Sequence, residues 1–91
     1  MRKYSEQVRQ HAIACAEIIR TSGWSPHNDI HGYPVVCVIE GVTRRTLTPM
    51  SALFAAFRAE AQWSGGIYDW EHAEGRTEDE VLAVFDRIAN S

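Results

Sequence analysis

Residues 35–47, "VVCVIEGVTRRTL", decide the fold. Val35, Val36, Val38, Ile39 and Val42 place five β-branched side chains in one short run, the composition of a strand. Yet Val35, Val38, Ile39 and Val42 also stand at i, i+3, i+4 and i+7, the spacing of one helical face. Propensity and periodicity leave strand and helix both open at this point.

The flanks are less ambiguous. Upstream, residues 5–21 open on Ser5, a side chain suited to capping a helix, and carry Val8, Ala12, Cys15, Ile18 and Ile19 at helical spacing. Gly23 then offers the left-handed conformation that helix ends commonly use. Between this helix and the deciding segment runs "GWSPHNDIHGYP", residues 23–34, crowded with turn formers and expected to lie over the surface, with Trp24 and Tyr33 pinning it to the core.

Downstream, Thr48 followed by Pro49 has the form of an N-cap with proline at the first helical position. Residues 49–63 are rich in alanine and other helix formers, with Leu53, Ala56, Phe57 and Ala61 as an inner stripe and Phe54 beside it. Ser64, Gly65 and Gly66 close that helix, and residues 67–73 are expected to hold one short helical turn carrying Tyr68 and Trp70. Thr77 and Glu80 form a T-x-x-E capping box. Glu78, Asp79 and Glu80 fill the first turn of the following helix, 78–90, where the helix dipole stabilises each by about 0.3–1 kcal/mol. Val81, Leu82, Phe85, Ile88 and Ala89 supply its apolar face.

The chain is 91 residues long, 45% hydrophobic and 23% charged, which matches one globular domain over 1–91 and excludes a disordered or low-complexity chain. A domain of this size buries only about 60–65% of its unfolded surface, so a large enclosed substrate cavity is not expected. There is no apolar run of roughly 18 residues to cross a membrane and none behind the N-terminal charges to act as an export signal, so a soluble, cytoplasmic protein is expected. Cys15 and Cys37 both sit in apolar sequence and are expected reduced and buried rather than joined.

The net charge of −3 is unevenly spread. Residues 1–66 carry seven Lys/Arg against five Asp/Glu, a net +2, whereas residues 67–91 carry two against seven, a net −5. Such a block is either a solvated helix face or a surface for a basic partner. The densest part, "YDWEH" at 68–72, combines aromatics with charge as an interface anchor with a polar rim does. Tyr68, Asp69, Trp70, Glu71 and His72 are therefore the candidate binding residues. The alternative is a satisfied loop with Trp70 anchored in the core and Arg76 paired to Asp69, Glu71 or Glu74.

Other chemistries have weaker support. Asp69 and Glu71 could divide acid and base roles with His72 as a shuttle, but no local apolar pocket separates their pKa values. No catalytic residue is assigned and no cofactor is expected. His27 and His31 form an H-x3-H pair and Cys37 follows six residues later, all ligand types for Zn²⁺, but the pair sits in a turn-rich loop and has no C-x2-C partner; exposed polarity is the better role for both histidines. Nucleic-acid binding would use Arg44 and Arg45, with Arg2, Lys3 and Arg9 from a second helix, and would weaken steeply with salt. A metal-dependent or hydrolytic enzyme ranks third.

The order Gly23-Trp24, Cys37, Gly41, Trp70, then Arg76, Thr77, Glu80, Val81 and Leu82 resembles a family of short proteins of unknown function found in actinobacteria and their bacteriophages. The likeness spans about residues 12–90. It implies helix rather than strand for 35–46. Glu71 and His72 stand where that family has Asn-Asp, and Gly41 lies about one residue further from the cysteine. The resulting expectation is an all-α bundle of about four helices, 5–21, 35–46, 49–63 and 78–90, with a long loop between the first two. Its core is expected to be Ile18, Ile19, Val38, Val42, Leu53, Phe57, Val81, Leu82 and Phe85. Small bundles commonly work by presenting a surface, so a non-enzymatic accessory or host-interference protein acting on another protein is the expected function. A homodimer through 49–63, marked by an exposed Phe54, is the related possibility.

Overall fold

In the computed structural model, which describes residues 2–46 and 48–91, the deciding segment is a helix. The element order is α1 (Glu6–Ser22), α2 (Val35–Thr43), α3 (Met50–Ala61), α4 (Ile67–Glu71) and α5 (Glu78–Ala89). Among the described residues there is no strand, only isolated bridges between Trp24 and Tyr33 and between Asp29 and Gly32. That context explains why α2 overrides its β-branched composition. A lone strand would leave its backbone donors and acceptors without a ladder, whereas a helix satisfies them internally. The β preference spans only about 1 kcal/mol. As a helix the segment buries Val35, Val38 and Ile39, each worth about 1.5–3 kcal/mol.

α2 stops at Thr43, three residues before the expected end. The Thr43 hydroxyl turns back to donate to the Ile39 carbonyl at 2.8 Å, and the Arg44 N–H closes the last turn on Glu40. Cys37, expected buried, is exposed, because the face that buries Val35, Val38 and Ile39 leaves position 37 on the other side of the helix. Cys15 is buried, and both thiols are free.

α1 begins as its sequence implies: the Ser5 side chain accepts from the Val8 N–H, and Val8, Ala12, Cys15, Ala16 and Ile19 face inward. α5 matches it with Val81, Val84, Phe85 and Ile88, and these two helices pack together more extensively than any other pair. Arg20 on α1 and Asp86 on α5 meet at 3.1 Å on the rim. Phe57 of α3 stands edge-on to Phe85 at 5.1 Å and to Trp70 at 5.1 Å, so one ring ties α3, α4 and α5. Ile18, Val42 and Leu82 are only half-buried, while Val35, Val84, Ile88, Ile67 and Trp70 complete the core.

Two boundaries of α3 differ from expectation. Pro49, not Thr48, occupies the cap position, and no side chain caps the helix; the buried Thr48 hydroxyl donates instead to Gln7 on α1 at 3.1 Å. The helix ends at Ala61 with Gln62 in the left-handed region (φ 56°), before the glycines are reached. Phe54 is half-buried against the core rather than exposed, so the expected mark of a dimer face is not there.

The 23–34 segment is closely bonded to itself. Ser25 N–H reaches Tyr33 O and Tyr33 N–H reaches Gly23 O, each at 3.2 Å. Gly23 (φ 86°) and Gly32 (φ 149°) lie so close that a Cβ on Gly32 would stand 2.2 Å from the Gly23 carbonyl carbon. Trp24 is half-buried, but Tyr33, expected to anchor the loop, is 48% exposed. No helix of the described residues is long and apolar enough to cross a membrane.

Candidate functional site

α4 is a five-residue helix, and its two faces sort the acidic, aromatic stretch. Ile67, Trp70 and Glu71 stand at i, i+3 and i+4 and turn inward; all three are buried. Tyr68 and His72 stand at i and i+4 on the opposite side, with the exposed Asp69 next to Tyr68 in the chain.

Trp70 packs on Phe57 from inside, while the Arg76 guanidinium lies over its ring at 4.0 Å from outside. Glu71 is 1% exposed. Its Oε1 accepts the Trp24 indole N–H at 3.0 Å and the Val35 N–H at 2.8 Å, so it supplies the side-chain cap that Pro34 cannot give α2. Burial drives its carboxyl pKa up, against the opposing pull of the Val35 N–H and the Trp24 indole. Two of the five expected contact residues, Trp70 and Glu71, are thus internal: the surface they were assigned to does not include them.

Arg76 also departs from expectation. It donates through Nε to the Trp70 carbonyl at 2.9 Å and through Nη1 to Glu80 at 2.6 Å, and pairs with none of Asp69, Glu71 or Glu74. The Thr77 hydroxyl accepts from the Glu80 N–H at 3.3 Å, and the hydrogen bond from Arg76 holds the Glu80 carboxyl below its ordinary pKa. Glu78 does more than line the first turn of α5, since it accepts the Trp24 backbone N–H at 2.8 Å and so ties α5 to the 23–34 segment.

What remains on the surface is an array of rings. Tyr68, 65% exposed, stacks on His72 with centroids 4.0 Å apart and planes 27° apart. His72 Nδ1 lies 2.8 Å from the Tyr68 carbonyl, which can only accept, so Nδ1 carries the proton. His27, from the 23–34 segment, meets His72 edge-on at 5.4 Å. Sequence reading missed His27 because its partner is 45 positions away. It also passed over Ile30, which is 93% exposed in the same segment.

Asp69 is exposed and Glu71 buried, so the two carboxylates do not face a common space and no acid–base pair is assembled from them. His27 packs against His72 rather than converging with His31 and Cys37. Among the described residues no three His, Cys, Asp or Glu side chains are placed to hold a metal ion. The basic set is likewise dispersed: Lys3 pairs with Glu60 at 2.8 Å, the buried Arg9 pairs with Glu6, and Arg2 donates to the Ser91 carbonyl at 3.3 Å. Arg44 and Arg45 are exposed and form no ion pair among the described residues.

No curated protein and no solved structure matches the chain. The model of a family of unknown function, DUF6197, matches residues 3–91, and the chain belongs to that family.

Proposed function

We propose that this member of a family of unknown function is a non-enzymatic protein-binding protein whose contact surface is the Tyr68–His72–His27 ring array with Asp69 on its rim. The observation that carries the proposal is Tyr68: a large aromatic residue 65% open to solvent, yet held in one orientation by stacking on His72 at 4.0 Å. An exposed ring gains little for the fold, but a tyrosine fixed before binding loses little entropy on contact, which is how interface anchors gain their energy. The acidic surroundings favour a partner presenting arginine or lysine, whose cation can lie over the ring face. The likeness to actinobacterial and phage proteins supports an accessory or host-interference role on a cytoplasmic host protein.

The test is a tagged pull-down from lysate of the host cell, comparing wild type with a Tyr68→Ala, Asp69→Lys variant shown by circular dichroism to be folded. One protein recovered in stoichiometric amount with wild type and lost with the variant supports the reading. The same partner surviving the double change removes the ring array from the interface. Recovery of nucleic acid, abolished by Arg44→Glu with Arg45→Glu and by added salt, would replace the reading with the alternative based on those two arginines.

A further inference from the structure

Only two lysine or arginine residues occur in the acidic stretch 67–91, Arg76 and Arg87, and both line one cleft of about 300 Å³. Its wall on α5 is Glu80, Ala83, Val84 and Arg87, at i, i+3, i+4 and i+7; Ala61 at the end of α3 and Trp70 on α4 face it. Six of the seven carboxylates of the stretch lie outside this lining, so the cleft itself carries two guanidinium charges against Glu80; Glu60, near enough to Arg87 for their charges to interact, is already paired with Lys3. A local excess of one positive charge thus sits inside a segment whose net charge is −5.

The guanidinium groups are fixed but not used up. Arg76, with a side chain 19% exposed, is clamped by the Trp70 ring beneath it, the Trp70 carbonyl at Nε and Glu80 at Nη1. Among the described residues its Nη2 donates to nothing. Arg87 is held by one bond from Nη2 to the Glu60 carbonyl at 3.0 Å, and its Nε and Nη1 likewise have no acceptor among the described residues. A guanidinium edge is a planar fork that matches a carboxylate, and a clamped fork gives up little freedom on binding. The remaining wall is Ala61 and Ala83, small and apolar, over the buried Val84, and the volume is at the low end for a ligand site.

We infer that this cleft binds a single carboxylate carried on a small apolar body, the carboxylate bridging Arg76 and Arg87 and the body resting on Ala61 and Ala83. The net charge of the lining selects a monoanion over a dianion such as phosphate. Glu80 is the internal competitor, since its own carboxylate already occupies one edge of Arg76. The site is independent of the ring array and stands or falls without it. A free carboxylic acid and the C-terminal carboxylate of a chain present the same chemistry.

The test is a set of ¹H–¹⁵N NMR titrations of the whole protein, including the arginine Nε–H signals, with isobutyrate, phosphate, acetyl-alanine and acetyl-alanine amide. Isobutyrate is expected to give saturable shifts at Arg76, Arg87, Ala61 and Ala83, with a Kd on the order of 1 mM. Arg87→Gln, at an exposed position, should weaken it about tenfold, the effect of one charged hydrogen bond. Glu80→Gln, which keeps a capping-box side chain, should tighten it. Acetyl-alanine binding more tightly than isobutyrate, with its amide inert, would support the inference and identify a chain terminus as the source; equal binding would support a free acid. The inference is overturned by the absence of saturable shifts, by phosphate binding more tightly than isobutyrate, or by affinity unchanged in both Arg87→Gln and Glu80→Gln.

Discussion

The Trp24 indole N–H donates to Glu71 across 47 positions of chain, at 3.0 Å, and the same carboxylate oxygen holds the first residue of α2. Glu71→Leu leaves both donors without an acceptor, the Val35 N–H in a buried site and the Trp24 indole N–H in a partly buried one. At about 1–3 kcal/mol for each orphaned donor, the variant should lose about 2–6 kcal/mol in urea unfolding followed by tryptophan fluorescence. A loss below about 1 kcal/mol, on that same scale, would mean that water replaces the carboxylate.

Glu71 also gives stability a pH dependence of unusual sign. Its folded pKa is raised by burial above the ordinary 4.5, so the folded state binds the proton more tightly than the unfolded one. The corresponding stabilisation is complete below 4.5 and is lost as pH rises through the raised folded value. Glu60, whose pKa is lowered by hydrogen bonds from Lys3 and Tyr4, contributes in the opposite direction, losing stabilisation as pH falls. Thermal unfolding of wild type and Glu71→Gln from about pH 4 to pH 8 separates the two: the stability of wild type relative to the variant should fall as pH rises.

Glycine substitutions should divide by position. A Cβ at Gly41 meets nothing within 4 Å, so Gly41→Ala should stabilise α2 by about 0.5–1 kcal/mol. Gly23 has φ 86°, and a Cβ there would stand 2.3 Å from the His31 carbonyl oxygen. Gly23→Ala should therefore cost more than the roughly 1–2 kcal/mol of left-handed strain alone. Melting temperatures of the two variants moving in opposite directions is the expected outcome.

The two thiols should differ in reactivity. Burial pushes the Cys15 thiol up to about 12, while Cys37 is exposed on α2. A thiol reagent should therefore label one cysteine per folded chain, identified by peptide mapping as Cys37, and two in denaturant. Rapid labelling of Cys15 in the folded protein would show that α1 opens far more readily than its packing implies.

The helices α1, α3 and α5 were legible because their signals are local: a cap, a stripe at helical spacing, and a first turn of carboxylates all lie within a few residues. α2 was not, because its composition favours a strand and its N-terminal partner, Glu71, is 36 positions away. The same distance hid the role of Glu71, whose neighbours Asp69 and His72 made it look like surface. Cys37 was misplaced by its apolar neighbours, although once residues 35–43 are helical, a position about 200° from Val35 must face away from the core. At the candidate site the identity of Tyr68 and His72 as neighbours was implicit in their four-residue spacing, but His27 reaches them only through the folded 23–34 segment.

The pairing of α1 with α5 has a consequence for biosynthesis. α1 is translated well before its principal partner α5, so the part of the Val8, Ala12, Cys15 and Ile19 face that α5 covers stays open until residues 78–89 have been made, even after α2 and α3 have packed on α1. A nascent chain in this condition offers hydrophobic surface to chaperones and proteases for as long as the segment between α1 and α5 is being made.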